Sequence, residues 1–350
     1  MPGKMLLNVW PGRWDLASID PACLAAVMFL QLTCSDEFTI VECTNPDSSP
    51  NGQLPYLVYE NQTIASLFSI VHFVTSLKSR EQIPILAEEQ RCSATERAQR
   101  TAWTSHVETH LGNLVACSFY SINSNWSKVT NVALCQMLSV PYRYYVPRRL
   151  RESVRPRLEA EGLWWSTDEE PVDEKPDPSI SAKLEMAKPK LTFSKAFERE
   201  KALAKCRTVL DLYSQLLGEN TYFFTMLSVL DLIFAAHILL LTRPPFPERS
   251  LHQVLDSYPT LSAHAGRILS TIPTPPTQPR TESASFWQLL APKPRQESAP
   301  VEKDNKMEPK LPGLDVDQRR WVWVTMAVAA VTYIAAKSVT ITFRVPASAT

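Results

Sequence analysis

The chain has 350 residues, 36 basic and 36 acidic side chains, and zero formal net charge. That length suits one large domain or two small ones with linkers, and the charge balance gives no global pull toward nucleic acid. Seven scattered cysteines, none in a C-x-x-C pair, spell neither a disulfide framework nor a zinc ribbon, so reduced thiols in a cytosolic domain are expected.

Met1-Pro2-Gly3-Lys4 runs straight into an apolar stretch, so no secretory leader is expected. Leu6 to Trp10 reads as a short buried strand, followed by a Pro-Gly connection from Pro11 to Ser18. Asp20-Pro21 supplies an N-cap and a first-turn proline for a helix over Ala22 to Leu32, apolar almost all round. Phe38 to Cys43 is a second strand, and 45–52 is dense in turn residues. Tyr56 to Tyr59 and Gln62 to Ile64 form a hairpin about Glu60-Asn61, and a helix runs from about Ser66 to Lys78. Strand–helix–strand, then hairpin–helix, is the order of a thioredoxin-like domain over residues 1–82.

From 83 to 272 the pattern is helical. Helices are predicted over Ala94 to Tyr120, Ser127 to Tyr145 (ended near Pro141 or Pro147), Leu191 to Leu217, Thr225 to Thr242 and Glu248 to Ile272. An acidic, proline-bearing loop at 166–178 interrupts them and reads as disordered. Residues 273–318, rich in Pro, Gln, Glu and Lys, read as a flexible tether, with one apolar pentad at 286–290 that is either a docking motif or chance.

The segment 319–344 reads as a membrane anchor. Arg319-Arg320 precede the sixteen uncharged residues Trp321 to Ala336, which span roughly 24 Å as a helix. Extension to Phe343 gives about 34 Å, enough for a bilayer core if Lys337 snorkels to the headgroups. Trp321, Trp323 and Tyr333 are the interfacial anchors, and the arginine pair keeps the bulk of the chain in the cytosol. A surface or buried terminal helix is the alternative, against which the stretch has no polar face.

A thioredoxin-like domain followed by an all-α bundle is the glutathione-transferase-like architecture, an α+β domain joined to an α domain and here ending in one transmembrane helix. Leu54-Pro55 stands where such folds place a cis-proline. Ser228-Val229-Leu230-Asp231 is a capping box at the apolar helix, where the transferase family has a similar one. Pro55, Ser228 and Asp231 are accordingly assigned structural roles.

Within that superfamily the chain resembles the metaxins. Val9-Trp10-Pro11-Gly12-Arg13-Trp14, Ser18-Ile19-Asp20 with Cys23-Leu24-Ala25, Gly52-Gln53-Leu54-Pro55, the run Tyr142 to Pro147, and Leu217-Gly218 ahead of Phe223-Phe224 carry the resemblance. It departs from them in the acidic insertion after Trp165 and in Thr225-Met226-Leu227, where relatives tend to have a Gly-Asp turn. The resemblance implies a subunit of the mitochondrial outer-membrane sorting and assembly machinery, facing the cytosol. Its implied partners are a barrel-forming core subunit, a second metaxin-like subunit, the general import translocase and the lipid bilayer.

Catalysis would demand particular side chains. A transferase needs a hydroxyl or thiol after the first strand and an acidic-Ser pair after the hairpin. Here Pro11 to Leu16 offers neither Tyr, Ser nor Cys, leaving Ser18 as the nearby hydroxyl, and the second pair is Ala65-Ser66. No catalytic residue and no cofactor are therefore expected. His106 and His110 share a helical face, but Glu108 lies on another and no third ligand follows, so no metal is expected either. Arg148, Arg149, Arg151, Arg155 and Arg157 form the one basic cluster. It is either a solvated helix start paired with Glu152 and Glu159 or a contact for anionic lipid or an acidic partner. The rivals to the subunit reading are a membrane-tethered glutathione-dependent transferase and a tail-anchored adaptor for other mitochondrial surface proteins.

Overall fold

The computed structural model describes residues 5–272 apart from 36, 44, 79–82, 84, 86–91 and 166–177, together with 280 and 281. For 46, 178–195, 198, 280 and 281 it describes the backbone alone. The segment 319–344 and the pentad 286–290 lie outside the described residues, and no described helix is long and apolar enough to cross a membrane.

The sequence begins with β1 (Met5–Val9), α1 (Pro21–Thr33) and β2 (Phe38–Glu42), a right-sized βαβ unit whose strands pair in parallel, Met5 against Phe38 through Val9 against Glu42. Asp20 caps α1 by accepting from the Cys23 amide at 2.9 Å, and Pro21 needs no amide partner in the first turn. Every residue from Cys23 to Gln31 is buried, so α1 has no solvent face. The hairpin β3 (Tyr56–Tyr59) and β4 (Gln62–Ala65) comes next, β3 lying antiparallel to β1 with Leu7 opposite Leu57. The α2 helix (Leu67–Leu77) then packs back on the sheet side through Ile70 and Val74. The strand order β4-β3-β1-β2 and this connectivity give the thioredoxin-like half of a glutathione-transferase-like fold. A fifth strand, β5 (Arg280–Thr281), pairs in parallel with the outer side of β2. It falls within the stretch expected to be pure tether, and it covers part of an otherwise open sheet edge.

The helical half starts with α3 (Ala94–Ala116), opened by a full Ser93–Glu96 capping box and continued by a π-helical turn, Cys117–Ser121. The helix expected from Ser127 starts earlier, and of its two expected ends, near Pro141 or Pro147, the first holds. A helical turn at Asn123–Asn125 and a π stretch, Trp126–Thr130, lead into α4 (Asn131–Met137), which stops ahead of Pro141. Residues preceding a proline disfavour helical geometry, which accounts for the earlier stop. The α5 helix (Val146–Ala160) carries the basic cluster. The α6 helix (Pro178–Leu217) begins thirteen residues before the expected Leu191. The last long segment divides into α8 (Ser250–Asp256) and α9 (Pro259–Thr271), because Pro259 cannot lie inside a helix without losing a bond.

Between them, α7 (Val229–Thr242) is the centre of the bundle: every side chain from Leu230 to Leu241 is buried. It packs on α1, α3 and α9, so one apolar helix joins the sheet layer to the bundle in a shared core. Its start is Val229, not the expected Thr225, as its own N-cap serine dictates. Asp231, fully buried, accepts from the Ser228 amide at 2.9 Å and from the Ser228 hydroxyl at 2.6 Å. Its other oxygen accepts from the Phe223 amide at 3.0 Å and lies 3.3 Å from His264 Nε2. The carboxylate thus closes the cap, fixes the segment before it and reaches α9.

Candidate functional site

In a transferase-like fold the reacting thiol lies over the loop after β1, beside the proline before β3. Leu54-Pro55 is cis here. The loop itself is closed on its own backbone: the Leu16 amide donates to Arg13 O at 3.0 Å and the Ile19 amide to Pro11 O at 3.3 Å. Trp14 and Asp15 take left-handed conformations, φ 56° and 60°, which side-chain-bearing residues adopt at a cost. That geometry turns Trp14 edge-on to Phe119 of the bundle, ring centroids 5.9 Å apart, while Trp10 is buried and Arg13 donates to Gln136 at 2.7 Å.

The polar groups beside this loop are committed elsewhere. Ser18 is fully buried and its hydroxyl accepts from the Asp20 amide at 3.3 Å. Cys23, equally buried, has its thiol pKa pushed well up by burial first and by the Asp20 charge second, so it stays a protonated thiol. At the second position Ser66 holds φ 81° and ψ 147°, a region nearly reserved for glycine, and its hydroxyl both caps α2 at Ser69 N (3.4 Å) and donates to Ser69 Oγ (3.0 Å). The residue before it is Ala65, so no carboxylate accompanies that serine.

Gly12 is the residue the loop cannot replace. A Cβ there would sit 2.5 Å from Leu16 O and 3.1 Å from the Ala17 carbonyl, both backbone atoms. Gly12→Ala is expected to cost about 2 kcal/mol as the loop shifts to make room. The shift is expected to move Trp14 off Phe119, and a change in tryptophan emission with a lowered denaturation midpoint would register both.

The basic cluster resolves residue by residue. Arg148 pairs with Glu152 at 2.7 Å and Arg155 with Glu159 at 2.6 Å, the two partners the sequence names. Arg149 makes a two-pronged pair with Asp47, at 3.0 and 2.9 Å, from the loop between β2 and β3. Arg151 donates to Tyr120 O at 2.9 Å and to Asn123 Oδ1, its guanidinium lying over Trp126 and Trp164. It is a clamp between α5 and the π-helical turns. Arg157 is exposed, with no ion pair among the described residues. The exposed pairs are worth little each and exchange readily for another anion. Asp47, Asn123, Trp126 and Trp164 escape sequence reasoning because nothing local links them to these arginines.

His106 and His110 share a face as expected, rings 4.2 Å apart, but His106 Nδ1 is spent on the buried Tyr213 hydroxyl at 2.6 Å. Burial, and secondarily His110, lower the His106 pKa. Among the described residues no three metal-ligating side chains converge. The anchor residues Trp321, Trp323, Tyr333, Lys337 and Phe343 lie outside the described residues.

Comparison with known proteins adds three kinds of match. Residues 23–151 match the family model Tom37, described as an outer mitochondrial membrane transport complex protein. Metaxin-1 of Macaca fascicularis is 25% identical over 299 residues, covering 82% of this chain and 84% of its own. Human Metaxin-1 is 25% identical over 77% of this chain and 51% of its own. The solved structures it is similar to include glutathione S-transferase III in apo form, 18% identical with a TM-score of 0.42 over 79% of this chain and 100% of that one. A glutathione S-transferase of Ceriporiopsis subvermispora in complex with glutathione is 14% identical, TM-score 0.46, over 78% of this chain and 100% of that one. The chain is thus similar to an outer mitochondrial membrane transport complex family over residues 23–151 and to Metaxin-1 proteins at 25% identity over most of its length.

Proposed function

We propose that this chain is a non-catalytic subunit of the mitochondrial outer-membrane machinery that assembles and inserts β-barrel precursors. In this reading the folded part is a cap on the cytosolic face. It binds a barrel-forming core subunit and a second metaxin-like subunit and works beside the general import translocase. Similarity over residues 23–151 to an outer mitochondrial membrane transport complex family, and to Metaxin-1 proteins over most of the chain, supports the location and the kind of complex. The observation that carries the non-catalytic half is the first loop: Trp14 lies against Phe119, Ser18 is buried in a turn, and the nearby Cys23 in α1 is buried with its thiol pKa pushed up. A membrane anchor at 319–344 would raise the local concentration of the cap at the bilayer surface.

Depletion of the chain is expected to slow assembly of newly imported barrel proteins severalfold, with recovery on re-expression. Purification under mild detergent is expected to retrieve the barrel-forming subunit. Unchanged assembly kinetics would overturn the assignment, and recovery of motor or tethering proteins alone would favour the adaptor. Saturable glutathione binding with turnover of a generic electrophile would establish the transferase instead.

A further inference from the structure

The turn between α4 and α5 has apolar side chains on its inner and its outer face. Tyr142 and Val146 are buried and seat it on the bundle. Its backbone is held by three bonds: the Arg143 amide donates to Ser139 O at 3.1 Å, the Tyr144 amide to Pro141 O and the Tyr145 amide to Tyr142 O, both at 3.2 Å. On that ordered frame Val140 is 59% and Tyr144 76% exposed. Tyr145 and, in α4, Val132 are exposed beside them. One helical turn after Val132, the Cys135 thiol donates to Arg143 O at 3.6 Å and ties the helix to the turn. Among the described residues, four of the nine large apolar side chains left exposed therefore fall within 132–145. Single exposed apolar residues are ordinary, whereas a group held out on one fixed turn marks a contact surface.

The charge around this group is one-sided. No Asp or Glu occurs between Glu108 and Glu152, a stretch that holds Lys128, Arg143, Arg148, Arg149 and Arg151. The last three are engaged in the bridges already described, and nothing here draws on their donors. Lys128, one turn before Val132, and Arg143 are both exposed, and neither has an ion pair among the described residues. The Arg143 Nε donates to Leu138 O at 3.3 Å, a neutral acceptor that fixes the guanidinium and leaves its charge uncompensated. Asp47, which reaches this side of the fold from the loop after β2, is held by Arg149.

We propose that this turn is a membrane contact, with Val140 and Tyr144 entering the headgroup layer of an anionic bilayer and Lys128 and Arg143 against its phosphates. Tyrosine suits that layer because its ring is apolar and its hydroxyl is wet. Each lysine or arginine near an anionic leaflet adds attraction that salt screens. A protein partner of ordinary size buries about 800 Å² on each side around a well-packed apolar centre. Four apolar side chains interspersed with lone cations supply less than that, and they suit shallow insertion, whose strength sums apolar area and charge. The contact concerns how the folded part meets a bilayer and does not rest on the role in barrel assembly.

The test is hydrogen exchange on the full chain reconstituted with vesicles of phosphatidylcholine alone or of phosphatidylcholine with phosphatidylglycerol. Exchange over 138–146 is expected to be about tenfold slower on the anionic vesicles than on the neutral ones, with the difference shrinking at high salt. Val140→Ser with Tyr144→Ser is expected to remove the slowing, and Lys128→Gln with Arg143→Gln to remove most of it, since each charge is worth about fivefold. All four positions are exposed, so unfolding midpoints like the wild type's are expected, and exchange in the buried α7 serves as the internal control. Equal exchange over 138–146 on the two vesicle types would overturn the proposal. So would slowing that appears only when purified partner subunits are added, which would give this face to a protein.

Discussion

Replacing Asp231 with alanine is expected to lower stability by about 3–5 kcal/mol, the scale for removing one partner from a buried charged network. The cost comes from the donors that the carboxylate leaves behind. The Phe223 amide, the Ser228 amide and the Ser228 hydroxyl all donate to it at 2.6–3.0 Å in a fully buried setting. Each stranded donor costs about 1–3 kcal/mol, offset in part where a neighbour relaxes or water enters. Ser228→Ala is the control: it removes a donor together with its bond and strands little, so about 1 kcal/mol is expected. Thermal unfolding should separate the two, with Asp231→Ala lowering the midpoint by roughly 10 °C and Ser228→Ala by a few degrees. Equal shifts would mean that the cap alone, and not its reach to Phe223 and His264, stabilises the start of α7.

How much of this is legible in the chain depends on the range of the interaction. Asp20-Pro21 announces α1 and Ser228-x-x-Asp231 announces α7, since a cap is built from residues three apart. The hairpin about Glu60-Asn61 is equally local, and Glu60 takes the positive φ that such a turn demands. Helix ends go astray where two signals compete. Thr225 to Leu227 continues the apolar character of α7 backward, so periodicity alone carries that helix past its own cap at Ser228. Tyr258-Pro259 breaks a segment that periodicity joins. The site is less legible. Arg148 and Arg155 have partners one helical turn away, whereas Arg149 finds Asp47 at a separation of 102 residues and Arg151 finds Tyr120 at 31. A tally of arginines therefore reads as a basic patch a cluster that the fold builds largely as bridges. The crowding of the first loop by Trp10 and Trp14 is foreseeable from residue size, but the left-handed turn that seats Trp14 on Phe119 is not.

The same central helix makes stability depend on acid. His237 is buried within α7, its Nδ1 donating to Ile233 O at 2.7 Å, and burial lowers its pKa from 6.5 to about 4. The folded state therefore holds the ring neutral, while the unfolded chain takes up a proton near its ordinary value. Where the unfolded state binds more protons, stability rises with pH. The contribution is thus complete above about pH 6.5, and it is lost progressively down to about pH 4, below which both states are protonated. A shift of that size corresponds to about 3 kcal/mol over the window. His237→Leu fills a similar volume among Phe234, Ile238 and Leu241 and removes the titration. Denaturation midpoints of the two proteins are expected to differ little at pH 7, with the wild type losing about 3 kcal/mol more than the variant by pH 4. Parallel curves across that range would show that the imidazole finds a proton acceptor inside the bundle on acidification. The neutral ring would then no longer be part of what holds α7 between the sheet and the helices.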